Sequence, residues 1–366
     1  MEEENNQSHA GGSQNGDQEK LKINVGVETE APLVVTREGR PLHLNEPLKE
    51  LAKLFNEKGL SAYDSAVDHE HDHTKWAITI DSSIMIPELD GRGAPVEIKS
   101  PILAVDDPAY QDKVRAMWEI IAPFKMTSIG CWKLCSTHIH FSLAEDSIIH
   151  FSVADDPDYP IHFARKLAFC VVYFEDAIDD LMPAMTHKAD TKRPGGWKDF
   201  HRYARRNKEA IFCARNGKEL NDLMCWDEDE YRRKTGCGIK SFKWSFKGFN
   251  FKTIEFRQMP PCRSAQETLD WITFLTAFVR AAAGIDEHKL STALDDPKCT
   301  FAEGLGLKPS NHWLKQDFLE RSWAHRTRGV MDWTTLKEFV DCDDGVWTRI
   351  IAARDQIEKE LAALPD

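Results

Sequence analysis

The sequence predicts an α+β fold in which strands with one apolar and one polar face pack against amphipathic helices. Three observations carry that prediction. Four segments alternate with a period of two, the spacing that sends successive side chains to opposite faces of a strand. They are Ile23–Glu30, Pro95–Lys99, Thr137–Leu143 and Lys252–Met259, and each gathers acids, imidazoles or cations on a single side. Other segments carry apolar residues at helical spacing. The third observation is composition: 42% of the 366 residues are hydrophobic, enough to core one large domain or two ordinary ones.

Taken in order, residues 1–20 are rich in Gly, Ser, Asn, Gln and Glu and read as a disordered tail. The first strand, Lys22 to Glu30, sets Val25 and Val27 against Gly26, Glu28 and Glu30. Pro47 to Gly59 is a helix whose stripe is Leu48, Leu51, Ala52, Leu54 and Phe55, with Gly59 at its stop. The histidine-rich run Asp68 to His73 reads as a solvated loop, since a metal site needs its ligands on a rigid frame. It leads into a strand, Trp76 to Ile80, which delivers Asp81 at its end. In the next strand Val96 and Ile98 oppose Glu97 and Lys99. A helix opened by Asp106-Asp107-Pro108 runs to Phe124 over Val114, Met117, Trp118 and Ile121.

Thr127 to Leu143 reads as one or two strands, ending with Ile139, Phe141 and Leu143 opposite His138, His140 and Ser142. A long apolar helix follows Pro160, through Met182, and Pro183 stops it. Residues His187 to Lys208 carry many cations and read equally as a solvated basic face or as a phosphate-facing wall. Ser241 to Gln258 is a hairpin with Gly248 at its turn. Ser264 to Glu267 matches a capping box ahead of a helix from Thr268 to Ala283, with Phe274 at the margin of its stripe. The remainder is helical, with an amphipathic helix from Trp347 to Leu364.

Several function classes drop out. A net charge of −13 has the wrong sign for a nucleic-acid surface. Nine scattered cysteines without a CxxC pair suit a reducing compartment. No apolar leader follows the first residues, and no apolar run spans a bilayer, so the expectation is a cytoplasmic protein with no membrane partner. GxxxxGK[ST], GxGxxG and GxSxG motifs are all absent.

The polar faces point elsewhere. On the last strand Glu255 and Arg257 share a face backed by Ile254 and Phe256. Alone this is compatible with a surface ion pair, which is common and weak. Recurrence on four strands argues for a site, because a face carrying Glu28, Glu30, Glu97, His138, His140 and Glu255 is costly to bury unpaired. Carboxylates with imidazole select Mg²⁺ or Mn²⁺ over Zn²⁺. Hard cations beside an arginine suit phosphoryl transfer.

Five segments in this order also resemble a known family. They are Val25-Gly26-Val27-Glu28-Thr29-Glu30, Trp76 with Asp81-Ser82-Ser83-Ile84, Val96-Glu97-Ile98-Lys99-Ser100-Pro101, His138-Ile139-His140, and Thr253-Ile254-Glu255-Phe256-Arg257. The series resembles the amidoligase family, of the glutamine synthetase and glutamate–cysteine ligase group of carboxylate–amine ligases, over about Asn24 to Ala283. The resemblance implies an antiparallel β-sheet half-barrel or funnel with packed helices, with ATP and two or three Mg²⁺ or Mn²⁺ on its concave face. It implies ATP-driven joining of a small-molecule or peptide carboxylate to an amine through an acyl phosphate. It assigns Glu28, Glu30, Glu97, His138 and Glu255 to metal. Arg257, His140 and Arg205 or Arg206 fall to the nucleotide, and Arg257, Glu255, His140 and Asp81 to the reacting centre. The sequence departs from the family at Ser82 and Ser136, where glycine is usual, and across Phe242-Lys243-Trp244-Ser245-Phe246, a segment expected near substrate. A kinase of the related guanidino-kinase-like fold and a non-catalytic nucleotide- or metal-binding module are the alternatives. The expected organisation is a tail (1–20), an amidoligase-like catalytic domain (21–285) and a helical C-terminal extension (286–366) packed on it.

Overall fold

Strand β1 (Ile23–Leu33) is the hub of the fold, and its burial alternates because Val25 and Val27 enter the core while Gly26 and Glu28 face the other way. The computed structural model describes residues 21–43, 45–67, 72–81, 84, 93–125, 132, 135–145, 160–183, 208–225, 243–248, 253–286 and 333–364. A two-stranded ribbon, β2 (Thr36–Arg37) and β3 (Arg40–Pro41), follows β1. The main sheet adds β4 (Ala62–Asp64), β5 (Trp76–Ile80), β6 (Ala94–Lys99), β7 (Leu103–Ala104), β8 (Thr137–Leu143), β9 (Trp244–Gly248) and β10 (Thr253–Phe256). Its order is β4-β5-β6-β1-β8-β10-β9, with β7 also on β1; every pairing is antiparallel except β4 with β5.

One face of this sheet is apolar. Cross-strand neighbours share a face, so Val27, Ile139 and Phe256 form one row and Val25, Phe141 and Ile254 the next. Helices cover it: α1 (Glu46–Glu57), α2 (Ala109–Ile121), α3 (Ile161–Asp179), α4 (Lys208–Cys213), α5 (Gly217–Met224), α6 (Ala265–Ala283), α7 (Trp333–Phe339) and α8 (Asp344–Ala362). Phe55 of α1 meets Trp76 edge-on at 5.6 Å. From α6, Trp271 reaches Phe256 and Phe278 reaches Trp244. The Trp118 indole N–H of α2 donates to Thr268 Oγ1 at 2.9 Å, which satisfies the one polar atom of a buried ring. Helix α8 is fastened to α6 by Arg349, whose fork spans both Asp270 oxygens, and by Arg263 on Glu360 at 2.7 Å.

Most sequence expectations meet these elements, and several are corrected. Strand β1 runs on to Leu33, because Ala31, Pro32 and Leu33 pair with Val96, Pro95 and Ala94. Helix α1 stops where expected: Gly59, at φ +78°, allows Gly59 N–H to reach Asn56 and Leu60 N–H to reach Phe55. Helix α3 ends at Asp179, before the expected Met182. Gly248 is paired with Thr253 inside the hairpin ladder, so it precedes the turn. Ser264 caps α6 by accepting from Glu267 N–H, yet the Glu267 carboxylate returns to Arg263 N–H rather than to Ser264, so the box is offset by one residue. Phe274 is fully buried, not marginal, because Trp347 of α8 covers that side at 5.0 Å. Strands β4 and β7 were not anticipated. Most of the histidine run, most of the segment from Thr127 to Ser136 and nearly all of the basic stretch lie outside the described residues.

Candidate functional site

The face away from the helices carries the charge, and β-sheet register assembles it. Glu28 of β1 lies between Lys99 of β6 and His138 of β8. One row along, Glu30 is opposite Glu97. In the row on the other side, Gly26, His140, Glu255 and Ser245 are successive cross-strand neighbours. Gly26 leaves the floor beside His140 open: a Cβ there would meet only the His140 Cβ, at 3.6 Å. Residues from five strands thus converge because alternation and register both direct them to one side.

Glu28 is the centre of the array. Its Oε2 lies 3.3 Å from His138 Nδ1, and its Oε1 lies 3.2 Å from Lys99 Nζ and 3.4 Å from His140 Nε2. Glu255 Oε1 stands 3.4 Å from His138 Nδ1 and pairs with Arg257 Nη1. Lys99 also reaches Glu97 Oε2 at 3.1 Å. Ser136, just before β8, donates its N–H and its hydroxyl to Glu30 Oε2, at 2.7 and 2.9 Å, and its Oγ is 2.7 Å from His138 Nε2. Arg257 Nε on this face is buried and has no hydrogen-bond partner among the described residues, whereas His140 Nε2 faces the Glu28 and Glu255 carboxylates at 3.4 and 3.7 Å.

Titration follows from these contacts. Burial alone would raise Glu28, but the His138 and His140 imidazoles and Lys99 outweigh it and hold this carboxyl well below its ordinary range. At Glu30 burial wins and lifts the carboxyl to about 8; the Ser136 hydrogen bonds oppose the rise, and Asp81 and Glu97 add to it. Burial and the Glu28 charge raise Glu97, against Lys99. Burial keeps His138 neutral-leaning, below its usual value. At His140 burial is overcome by Glu28 and Glu255, and the imidazole is raised.

Two donor sets result. Glu28, His138 and Glu255 bring ligand atoms within 4.8 Å of one another, and so do Glu30, Asp81 and Glu97. The first set is two carboxylates and an imidazole; the second is all carboxylate. Such donors fit Mg²⁺ or Mn²⁺. The Arg257 guanidinium, whose Nε is left without a hydrogen-bond partner, fits acceptor oxygens of the kind a phosphate carries.

All the metal-assigned residues, with His140, Arg257 and Asp81, therefore meet on this face. Arg205 and Arg206 lie outside the described residues. Sequence reading missed Ser136, whose signal was its place two residues before His138, on the same side of the strand. It also missed what Lys99 touches, which only the register reveals. From the segment expected near substrate, Ser245 joins the face opposite Glu255, whereas Lys243 is buried with Glu175 at 3.0 Å and Asp179 at 2.6 Å.

The family described as "Putative amidoligase enzyme" matches residues 21–279. No curated protein matches significantly. Among solved structures, a bifunctional glutathione synthetase from Pasteurella multocida is similar at 11% identity and a TM-score of 0.37. That match covers 93% of this chain and 48% of the other, so the chain spans about half the length of the protein it matches. Among the described residues, no helix is long and apolar enough to cross a membrane.

Proposed function

The chain belongs to the amidoligase family, and from that premise we propose that it is an ATP-dependent carboxylate–amine ligase. The observation that carries the reading is the pair of donor sets flanked by Arg257 and His140 on one sheet face. On this reading residues 21–285 are the catalytic domain, its sheet is the half-funnel wall of the glutamine synthetase type, and 286–366 is a helical extension. The substrates are a small-molecule or peptide carboxylate and an amine. The described cysteines are all free, which suits a cytoplasmic protein.

Glu28, His138 and Glu255 would hold one Mg²⁺ or Mn²⁺, and Glu30, Asp81 and Glu97 another. When bound, these cations offset phosphate charge and screen the carboxylates that would otherwise repel a nucleotide. Arg257, paired with Glu255, would offer its planar guanidinium to the transferred phosphoryl group. His140 stands beside it with Nε2 turned to the same face. The substrate carboxylate oxygen bonds to the terminal phosphorus as the bond to ADP breaks, giving an acyl phosphate. The amine nitrogen then bonds to the acyl carbon, the carbon–oxygen bond to phosphate breaks, and a carboxylate of the face takes the amine proton.

Two measurements test this. Calorimetry should show ATP binding with Mg²⁺ and at least about tenfold weaker binding in EDTA; equal affinity would exclude the metal reading. A screen of pooled amino acids, peptides and polyamines should find amine-dependent ADP release with an amide product. ADP release with a phosphorylated product and no amide would instead establish a kinase. Metal-dependent nucleotide binding without turnover would leave a binding module.

A further inference from the structure

Lys99 is the part of the face that the ligase chemistry has not used. It lies cross-strand from Glu28 and two residues from Glu97, on the same side of β6. Its Nζ touches one carboxylate from each donor set: Glu28 Oε1 at 3.2 Å and Glu97 Oε2 at 3.1 Å. The two sets are staggered along β1 by the step from Glu28 to Glu30, about 7 Å at the strand rise of ~3.3 Å per residue. The ammonium thus sits where the sets adjoin. Its side chain is 42% exposed, so it lies on the open side of the face and not beneath it. Glu28, Glu30, Asp81, Glu97 and Glu255 are the acids of the two sets; among the described residues Lys99 and Arg257 contact them as permanent cations, and the His138 and His140 imidazoles contact Glu28 and Glu255.

We propose that Lys99 is a resident cation standing where a third divalent ion would bridge Glu28 and Glu97, and that it limits this face to two divalent ions. The inference rests on the ligase reading of the face. Two carboxylate oxygens already converge on a single positive centre between the sets. Removing that centre leaves both oxygens with less compensation on a face that is already rich in acid, and a hard cation is the species that restores it. A lysine also meets the charge requirement without being drawn from solution, so part of the face's compensation is independent of metal concentration. Arg257 does not duplicate this role, because its guanidinium contacts Glu255 and lies on the far side of the first donor set.

The experiment counts ions rather than turnover. The full chain is titrated with Mn²⁺ in the presence of a non-hydrolysable ATP analogue, and free Mn²⁺ is read by electron paramagnetic resonance. Wild type should bind two ions per chain, Lys99→Arg two, and Lys99→Met three. A thermal melt checks that each variant is folded, and if Lys99→Met is not, Lys99→Gln carries the same expectation. Two ions in the neutral variant would overturn the role of Lys99 while leaving the ligase reading intact. Three in wild type would do the same. No bound Mn²⁺ in wild type would overturn the ligase reading and this inference with it.

Discussion

At the scale of single residues, Glu30 is one of the groups, with Glu97, His138 and His140, that set how the protein responds to pH. Its folded value of about 8 lies above its ordinary 4.5. Between those values the folded state holds a proton that the unfolded chain has released, so stability falls as pH rises through the window. Glu97 is shifted the same way, whereas Glu28, held low, loses its contribution only as pH falls below its ordinary range. The metal-free protein should therefore melt at least ~2 °C lower at pH 8 than at pH 6. Glu30→Gln should shrink that difference, leaving the part due to Glu97, His138 and His140, and calorimetric melts across pH in EDTA would check it. A second expectation concerns Glu255. Glu255→Gln keeps the volume and removes a ligand, so folding should survive while turnover drops at least ~100-fold. Arg257→Lys should fail too, since a point charge cannot replace a planar fork. ADP release measured beside a melt checks both; an unfolded Glu255→Gln would make the residue structural. The metal-matching residues of this site were legible in the sequence because strand alternation alone sorts Glu28, Glu30, Glu97, His138 and Glu255 onto polar faces. What each touches was not legible: that Ser136 ties Glu30 to His138 depends on how β1 and β8 are aligned, and nothing local to either strand states it.

At the scale of elements, α6 holds the helical layer to the sheet. It meets β9 and β10 through Phe278 and Trp271, α2 through Thr268, and α8 through Asp270 and Phe274. Trp347→Ala on α8 should cost about 3–5 kcal/mol, the range for emptying a large aromatic site, and a denaturant titration measures it. Since Trp347 packs on Phe274 of α6 and is not one of the site residues, ATP affinity of the folded variant should remain within about twofold. The helices α1, α2 and α6 and the strands β5 and β6 were readable because each carries a full stripe or alternation. Strand β4 was not: three residues are too short for a periodicity, and its parallel pairing with β5 is set by distant contacts. Phe274 was misplaced for a related reason. A helix covered on one side shows a narrow stripe, but α6 is covered on two.

For the whole molecule, occupancy of the face should register as global stability, since the site residues are shared among strands that form one sheet. Mg²⁺ with a non-hydrolysable ATP analogue at a hundred times its Kd should add about 2.7 kcal/mol, seen as a raised melting temperature that EDTA abolishes. Shortening the chain to begin at Lys20 should change neither that shift nor the unliganded melt, because the segment removed offers almost no apolar surface for docking. The central place of β1 has a consequence for how the chain is made. Its partner His138 follows Glu28 by 110 residues, and at about 5–20 residues per second a ribosome supplies the second roughly 5–20 s after the first. Glu255, the next contact outward, comes later still. Until β6 is made a strand destined for the middle of a sheet has both edges open to pairing with other nascent chains, and the edge that β8 covers stays open for the whole interval. Glu28 and Glu30 place two carboxylates along it, and like charges oppose such pairing. The side chains that later bind the cations thus guard the strand from aggregation until β6 and β8 arrive.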